Sequence, residues 1–207
     1  MTFKNDATSV SIDSNDNVFV FCRGPIPVII FNSEGDFINS WGEGEFFRPH
    51  GIAHDTKDNI YLIDDQGHMV EKRDSEGKLI FRLGEKGKSS SRQSGEIFNL
   101  PTDAVIDPDN GDIYISDGYG NSRVHKFDEN GNHILSWGEP GSDPGKFSLP
   151  HNIALTKDKR IIVADRENFR LQIFDSDGKF IEQWHVHHPM SVTTDNEDNI
   201  YVGEMGP

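Results

Sequence analysis

Short apolar runs alternate with polar turns along the whole chain, and the alternation itself repeats. Five stretches open a repeat: 7–13, 49–55, 101–107, 150–156 and 189–195. Each is followed by an Asn/Asp/Lys-rich turn. A second run of β-branched and aromatic residues then spans 18–21, 60–63, 113–116, 161–164 or 200–203. Such runs bounded by turn residues predict hairpins. A third run ends in Phe-Asp/Asn-x-x-Gly, from Phe31 to Gly35, Phe127 to Gly131 and Phe174 to Gly178. A fourth ends in Trp-Gly at Trp41-Gly42 and Trp137-Gly138, with Leu83-Gly84 and Trp184-His185 as weaker copies. No helical spacing competes. The repeats start 42, 52, 49 and 39 residues apart, and four strands in about 40–50 residues is the period of a propeller blade. The expected fold is all-β: a single propeller domain over 1–207, with blades starting near 7, 49, 101, 150 and 189. The last repeat holds two strands, so about four and a half of an expected six blades are present. An open propeller leaves unpaired strand edges, which makes a longer parent protein the expectation.

Composition narrows the function. The 207 residues carry 20 Lys+Arg against 35 Asp+Glu, a net charge of −15. Nucleic-acid binders show basic faces, so neither a nucleic-acid partner nor an anionic membrane surface is expected. Cys22 is the single cysteine, which excludes an internal disulfide framework. No apolar run reaches transmembrane length. Met1 to Asp6 holds no apolar leader segment, so a soluble, cytoplasmic monomer is the expectation. Fourteen Phe and 20 Gly fit aromatic wedges between blades and tight turns.

In an antiparallel blade the start of the first strand and the end of the second meet at one face, so these two slots collect candidate chemistry. The opening slot reads Thr8, His50, Thr102, His151, Met190. Histidine in alternate blades of a six-bladed ring, about 120° apart, suits two ligands of one zinc; a third would complete a catalytic site with an open position. An ordinary turn histidine capping a carbonyl fits as well. The closing slot carries Arg23 and Arg166, with Tyr119 beside it. Arginine matches carboxylates in a forked geometry, which suggests a small anionic or peptide substrate; a salt bridge to a neighbouring blade's Asp is the plain alternative. A tyrosine near a cation and a metal could act as a base, or simply pack. His54, His68, His125 and His133 are expected on the solvated side. The His185, His187, His188 cluster is read as structural, and 85–95 as a flexible interblade loop.

Five stretches carry a family resemblance: 21–24, 48–51, 117–123, 147–151 and 163–168. Together with the NHL-type blades they are similar to the peptidyl-α-hydroxyglycine α-amidating lyases, over essentially the whole chain. Gly120 stands where the animal enzymes have a disulfide cysteine, as in a bacterial-type member. The resemblance implies a zinc-dependent carbon–nitrogen lyase that releases glyoxylate and a peptide amide. It assigns His50 and His151 to zinc, Tyr119 to catalysis, Arg23 and Arg166 to the substrate site, and the backbone of Val10 and Ile52 to a structural calcium. It places a third zinc histidine about 80–100 residues beyond His151, two blade periods on, so the chain as given is expected to bind zinc weakly and be inactive. The alternative is a non-catalytic NHL scaffold that binds a protein or peptide. A calcium lactonase would need carboxylate and Asn ligands where these slots offer His and Arg.

Overall fold

The computed structural model describes residues 6–206; Met1–Asn5, read above for a leader, lie outside the described residues. The chain divides into two compact units, Met1–Lys88 and Ser89–Pro207.

The first unit holds two four-stranded antiparallel sheets in sequential order. One is β1 (Asp6–Ile12), β2 (Val18–Arg23), β3 (Val28–Phe31) and β4 (Phe37–Trp41); the other is β5 (Pro49–His54), β6 (Ile60–Asp64), β7 (Met69–Arg73) and β8 (Leu79–Leu83). Phe19, Phe21, Val28 and Ile30 pack against Ile52, Ile60 and Leu62, with Trp41 and Phe46 at the margin. The third and fourth strands of the second sheet end in Arg73 and Leu83, not in the Phe and Trp of the sibling sheet.

The second unit repeats the pattern. Its sheets are β9 (Asp103–Ile106) to β12 (His133–Trp137), with β10 at Ile113–Asp117 and β11 at Arg123–Phe127; then β13 (Pro150–Leu155), β14 (Ile161–Asp165), β15 (Arg170–Phe174) and β16 (Phe180–His185); then the pair β17 (Pro189–Thr194) and β18 (Ile200–Glu204). Tyr114, Val124, Trp137 and Phe147 pack on Ile153, Ile161, Val163 and Phe174. Ala164, Leu171 and Ile173 pack on Val192. The interfaces between successive sheets in this unit are thus apolar, as the alternation requires. The one helical turn among the described residues is 3-10, at Arg166–Asn168. Among the described residues no helix is long and apolar enough to cross a membrane.

The turns between first and second strands have a common chemistry. The Asp13 carboxylate accepts the N–H groups of Asn15 and Asn17, at 2.9 and 2.8 Å. Asp55 and Asp195 do the same two and four residues on. A side chain that closes its own turn fixes the register of the hairpin. The Gly that ends the third-strand signature takes φ of 85° at Gly35 and 84° at Gly131, where a side chain would be strained.

Two expectations need correction. His54 is half-buried, its Nδ1 2.8 Å from Ser11 Oγ and its ring 4.6 Å from that of Phe19. His125 is not on the solvated side; it is fully buried. Its Nδ1 faces Ser136 Oγ at 2.7 Å and its Nε2 faces Asp117 Oδ2 at 3.2 Å. The same register holds Glu71 and Gln172, both also buried. A polar slot inside the third strand recurs because the carboxylate that ends the second strand needs a partner there in two of these blades.

Candidate active site

In four of the five blades the first strand breaks register at its opening, the exception being β9. Irregularities fall between Ala7 and Ser9, Pro49 and Ile52, Pro150 and Asn152, and Pro189 and Ser191. The extra residues are Thr8, His50 with Gly51, His151 and Met190, so most of the opening slot is a row of β-bulges. A bulged residue is not committed to the ladder and its side chain is re-aimed.

In the second unit this geometry gathers Tyr119, His151 and Arg166. His151 is buried, and its Nδ1 lies 2.7 Å from the Met190 carbonyl. A carbonyl only accepts, so Nδ1 carries the proton and Nε2 presents its lone pair. The Tyr119 hydroxyl lies 2.9 Å from that Nε2 and donates to it. The Arg166 guanidinium lies 5.7 Å from the centre of the Tyr119 ring, a cation–π distance. Arg166 Nε donates to Glu167 Oε1 at 2.8 Å, and His188 Nε2 lies 3.4 Å from the same oxygen. Burial works against ionising Glu167, but the bonds from Arg166 and His188 hold its carboxyl below the ordinary range. The salt bridge offered as the plain alternative for Arg166, to an Asp of a neighbouring blade, is not the one formed; its partner is the adjoining glutamate.

The backbone around this cluster is tightly specified. Thr102 Oγ1 donates to the Pro150 carbonyl at 3.0 Å, buttressing the bulge that holds His151. Asp165 accepts Ser148 N–H at 2.7 Å and Arg170 Nε at 2.8 Å, clamping the loop that leads into Pro150. Gly118 and Gly120 flank Tyr119. A Cβ on Gly118 would collide with the Pro150 carbonyl, and one on Gly120 with the Asn99 side chain. Glycine at both positions lets the Tyr119 loop lie on its neighbours.

The first unit contains Arg23, His50, Val10 and Ile52. Arg23 is exposed, and its Nε donates to the Pro49 carbonyl at 3.2 Å, next to His50. Arg48 grips Asp65 with Nε at 2.7 Å, fixing the approach to the same bulge. Asp64 accepts Arg48 N–H at 2.8 Å, as Asp165 does for Ser148. Val10 pairs with Val20 and Ile52 with Leu62 in their ladders.

Whether the residues suit a zinc ion can be judged at His151. An Nδ1–H held by a backbone carbonyl with Nε2 left as donor is the outer-shell arrangement of zinc-bound imidazoles, so this position fits. The Tyr119 hydroxyl uses the lone pair a metal would take. Among the described residues no three His, Cys, Asp or Glu side chains converge into a metal set. The His185, His187, His188 stretch forms none either: His188 stacks on Phe169, 5.2 Å between ring centres.

Sequence reading missed Glu167, although it lies inside one of the five signature stretches. It also missed Asp103, a buried carboxyl pushed up to about 7 by burial, against bonds from the Ala104 and Ile153 amides and the Asn152 side chain.

Comparison with known proteins agrees with this description. The NHL repeat model matches residues 98–127 and 147–174. The chain is 34% identical over 205 residues to the peptidyl-glycine alpha-amidating monooxygenase of Mus musculus, covering 83% of this chain and 21% of that protein. It is 36% identical over 153 residues to a probable peptidyl-alpha-hydroxyglycine alpha-amidating lyase of Caenorhabditis elegans (72% and 43%). It is 35% identical over 195 residues to the human NHL repeat-containing protein 3 (88% and 56%). The chain thus spans from about a fifth to just over half of the length of these relatives. In fold it is similar to virginiamycin B lyase of Staphylococcus aureus, with a TM-score of 0.73 at 13% identity, over 96% of this chain and 63% of that one. It is likewise similar to a chain of a nidogen/laminin complex, with a TM-score of 0.78 at 15% identity, over 97% and 72%. With four-stranded blades, NHL repeats and this run of relatives, the chain is a β-propeller with NHL repeats, and its likeness over most of its length supports the family of the peptidyl-α-hydroxyglycine α-amidating lyases.

Proposed function

We propose that the protein is a carbon–nitrogen lyase acting on peptidyl-α-hydroxyglycine. The observation that carries this reading is the Tyr119 hydroxyl, 2.9 Å from an imidazole whose other nitrogen is pinned, with a guanidinium over its ring. Arg166 and Arg23 would bind the substrate carboxylate, the task the family resemblance gives them. Tyr119, as phenolate, takes the proton of the α-hydroxyl. The O–H electron pair becomes the new C=O bond. The C–N pair leaves with the amide nitrogen, which gains a proton, so glyoxylate and a peptide amide result. His151 would hold zinc, and His50 is its counterpart by resemblance; bound zinc would lower the pKa of a coordinated hydroxyl. A structural calcium at the backbone of Val10 and Ile52 belongs to the same proposal.

Glyoxylate release from an N-acyl-α-hydroxyglycine, with zinc bound, tests the reading. Tyr119→Phe should lower the rate at least about 100-fold, the usual worth of a positioned base, with zinc affinity unchanged. Full activity in that variant would sink the base assignment. The likeness to NHL repeat-containing protein 3 favours a second reading, a non-catalytic scaffold. That reading predicts no bound zinc and ligand binding indifferent to His151→Ala.

A further inference from the structure

A cavity of about 480 Å³ lies in the second unit, and Gly118 and Tyr119 form part of its lining. Its size is within the range that receives small ligands, about 300–1,000 Å³. Arg92 and Gln93 contribute one wall, Ser142 and Phe147 another, and Glu167 and Asn168 a third. The cavity therefore adjoins the Tyr119–His151 pair without being formed by His151.

The wall that bears Arg92 is built onto the Tyr119 loop. Gln93 N–H donates to the Gly120 carbonyl at 3.0 Å, and Asn121 Nδ2 to the Glu96 carbonyl at 2.9 Å. Gly120 N–H returns a bond to the Asn99 carbonyl at 2.9 Å, and Asn99 Nδ2 one to the Ser90 carbonyl at 2.7 Å. Arg92 is thus one residue from a direct tie to the neighbour of Tyr119. The segment expected to be a flexible loop is here a hydrogen-bonded wall.

The two charges facing the cavity are not equivalent. Glu167 is engaged by Arg166 and His188. Arg92 is exposed and makes no ion pair or hydrogen bond among the described residues. In a chain of net charge −15, this cavity presents one uncompensated cation. A guanidinium with its donors unspent selects a carboxylate over neutral or cationic groups.

We infer that this cavity is the subsite for the peptide side of the ligand, and that Arg92 makes it prefer an acidic side chain next to the reacting residue. The naming of that residue as α-hydroxyglycine rests on the lyase reading; the preference for a carboxylate does not.

Calorimetry on the whole protein with three acetylated tripeptide amides, Ala-Ala-Asp, Ala-Ala-Asn and Ala-Ala-Lys, tests it. The Asp peptide should bind about five-fold tighter than the Asn peptide, the range of an exposed ion pair, and the Lys peptide weakest. Arg92→Gln should level Asp and Asn while leaving the circular dichroism spectrum unchanged. Equal binding of Asp and Asn by the native protein, a preference that survives Arg92→Gln, or no binding of any of the three would each overturn the inference. Glyoxylate release with no side-chain preference would overturn the subsite and keep the lyase reading. An Arg92-dependent Asp preference without glyoxylate release would do the reverse.

Discussion

His151 reaches Tyr119 because it is the extra residue of a bulge, and it stays there because Met190 holds its Nδ1–H. Asp103 shows the same dependence on surroundings with the opposite consequence. Its side chain is buried, accepts Asn152 Nδ2, and is raised to about 7, chiefly by burial. The folded state therefore binds a proton that the unfolded chain, titrating near 3.8, releases. The stability from this group is fully present below about pH 4 and is lost as pH rises through about 7. Asp103→Asn should remove that loss. Urea unfolding of both forms between pH 4.5 and 7.5 should show the native protein falling relative to the variant, by no more than about 4 kcal/mol. Parallel pH profiles would mean that Asp103 is solvated.

The blade is the element, and its recurring device is the carboxylate that ends the second strand. Asp64, Asp117 and Asp165 each accept amide N–H groups from the loop ahead of the first strand. Each is fully buried. Asp165 also neutralises Arg170, itself 3% exposed, and accepts Asn168 Nδ2 at 2.7 Å. Removing one member of a buried pair strands the other's charge. Asp165→Ala should cost about 3–5 kcal/mol in urea unfolding and release the loop that leads into His151. A loss below about 1 kcal/mol, the worth of a surface pair, would show that water replaces the carboxylate.

For the whole molecule, the governing quantity is charge. Many cations are used within and between the blades: Arg73 and Arg82 on Glu71, Lys126 on Asp112, Lys159 on Asp107. The excess of 15 negative charges is left to repel itself. Screening at about 0.1 M salt, where the Debye length is about 10 Å, should raise the melting temperature by a few degrees over that in low salt. A falling melting temperature would mean that the internal ion pairs outweigh the repulsion. The same excess predicts no retention on DNA at physiological salt.

The strands were legible in the chain almost to the residue, since alternation and turn chemistry act between residues two to four apart. Asp13 closing its turn onto Asn17, or Gly35 taking a positive φ, needs no distant partner. The bulges were not legible as bulges, although the Pro-His pairs at Pro49 and Pro150 marked their place. Tyr119, His151 and Arg166 were found as slot residues and by family likeness. That Arg166 leans on Glu167, that His125 is buried, and that Arg92 faces the Tyr119 cavity were not legible. Tyr119 and His151 are 32 positions apart, Asn152 and Asp103 are 49, and Arg92 reaches its cavity through a loop with no repeat to align. Spacing within a strand is encoded where the chain is made; contacts between strands of different blades exist once apolar faces have packed, and that packing sets which polar groups meet.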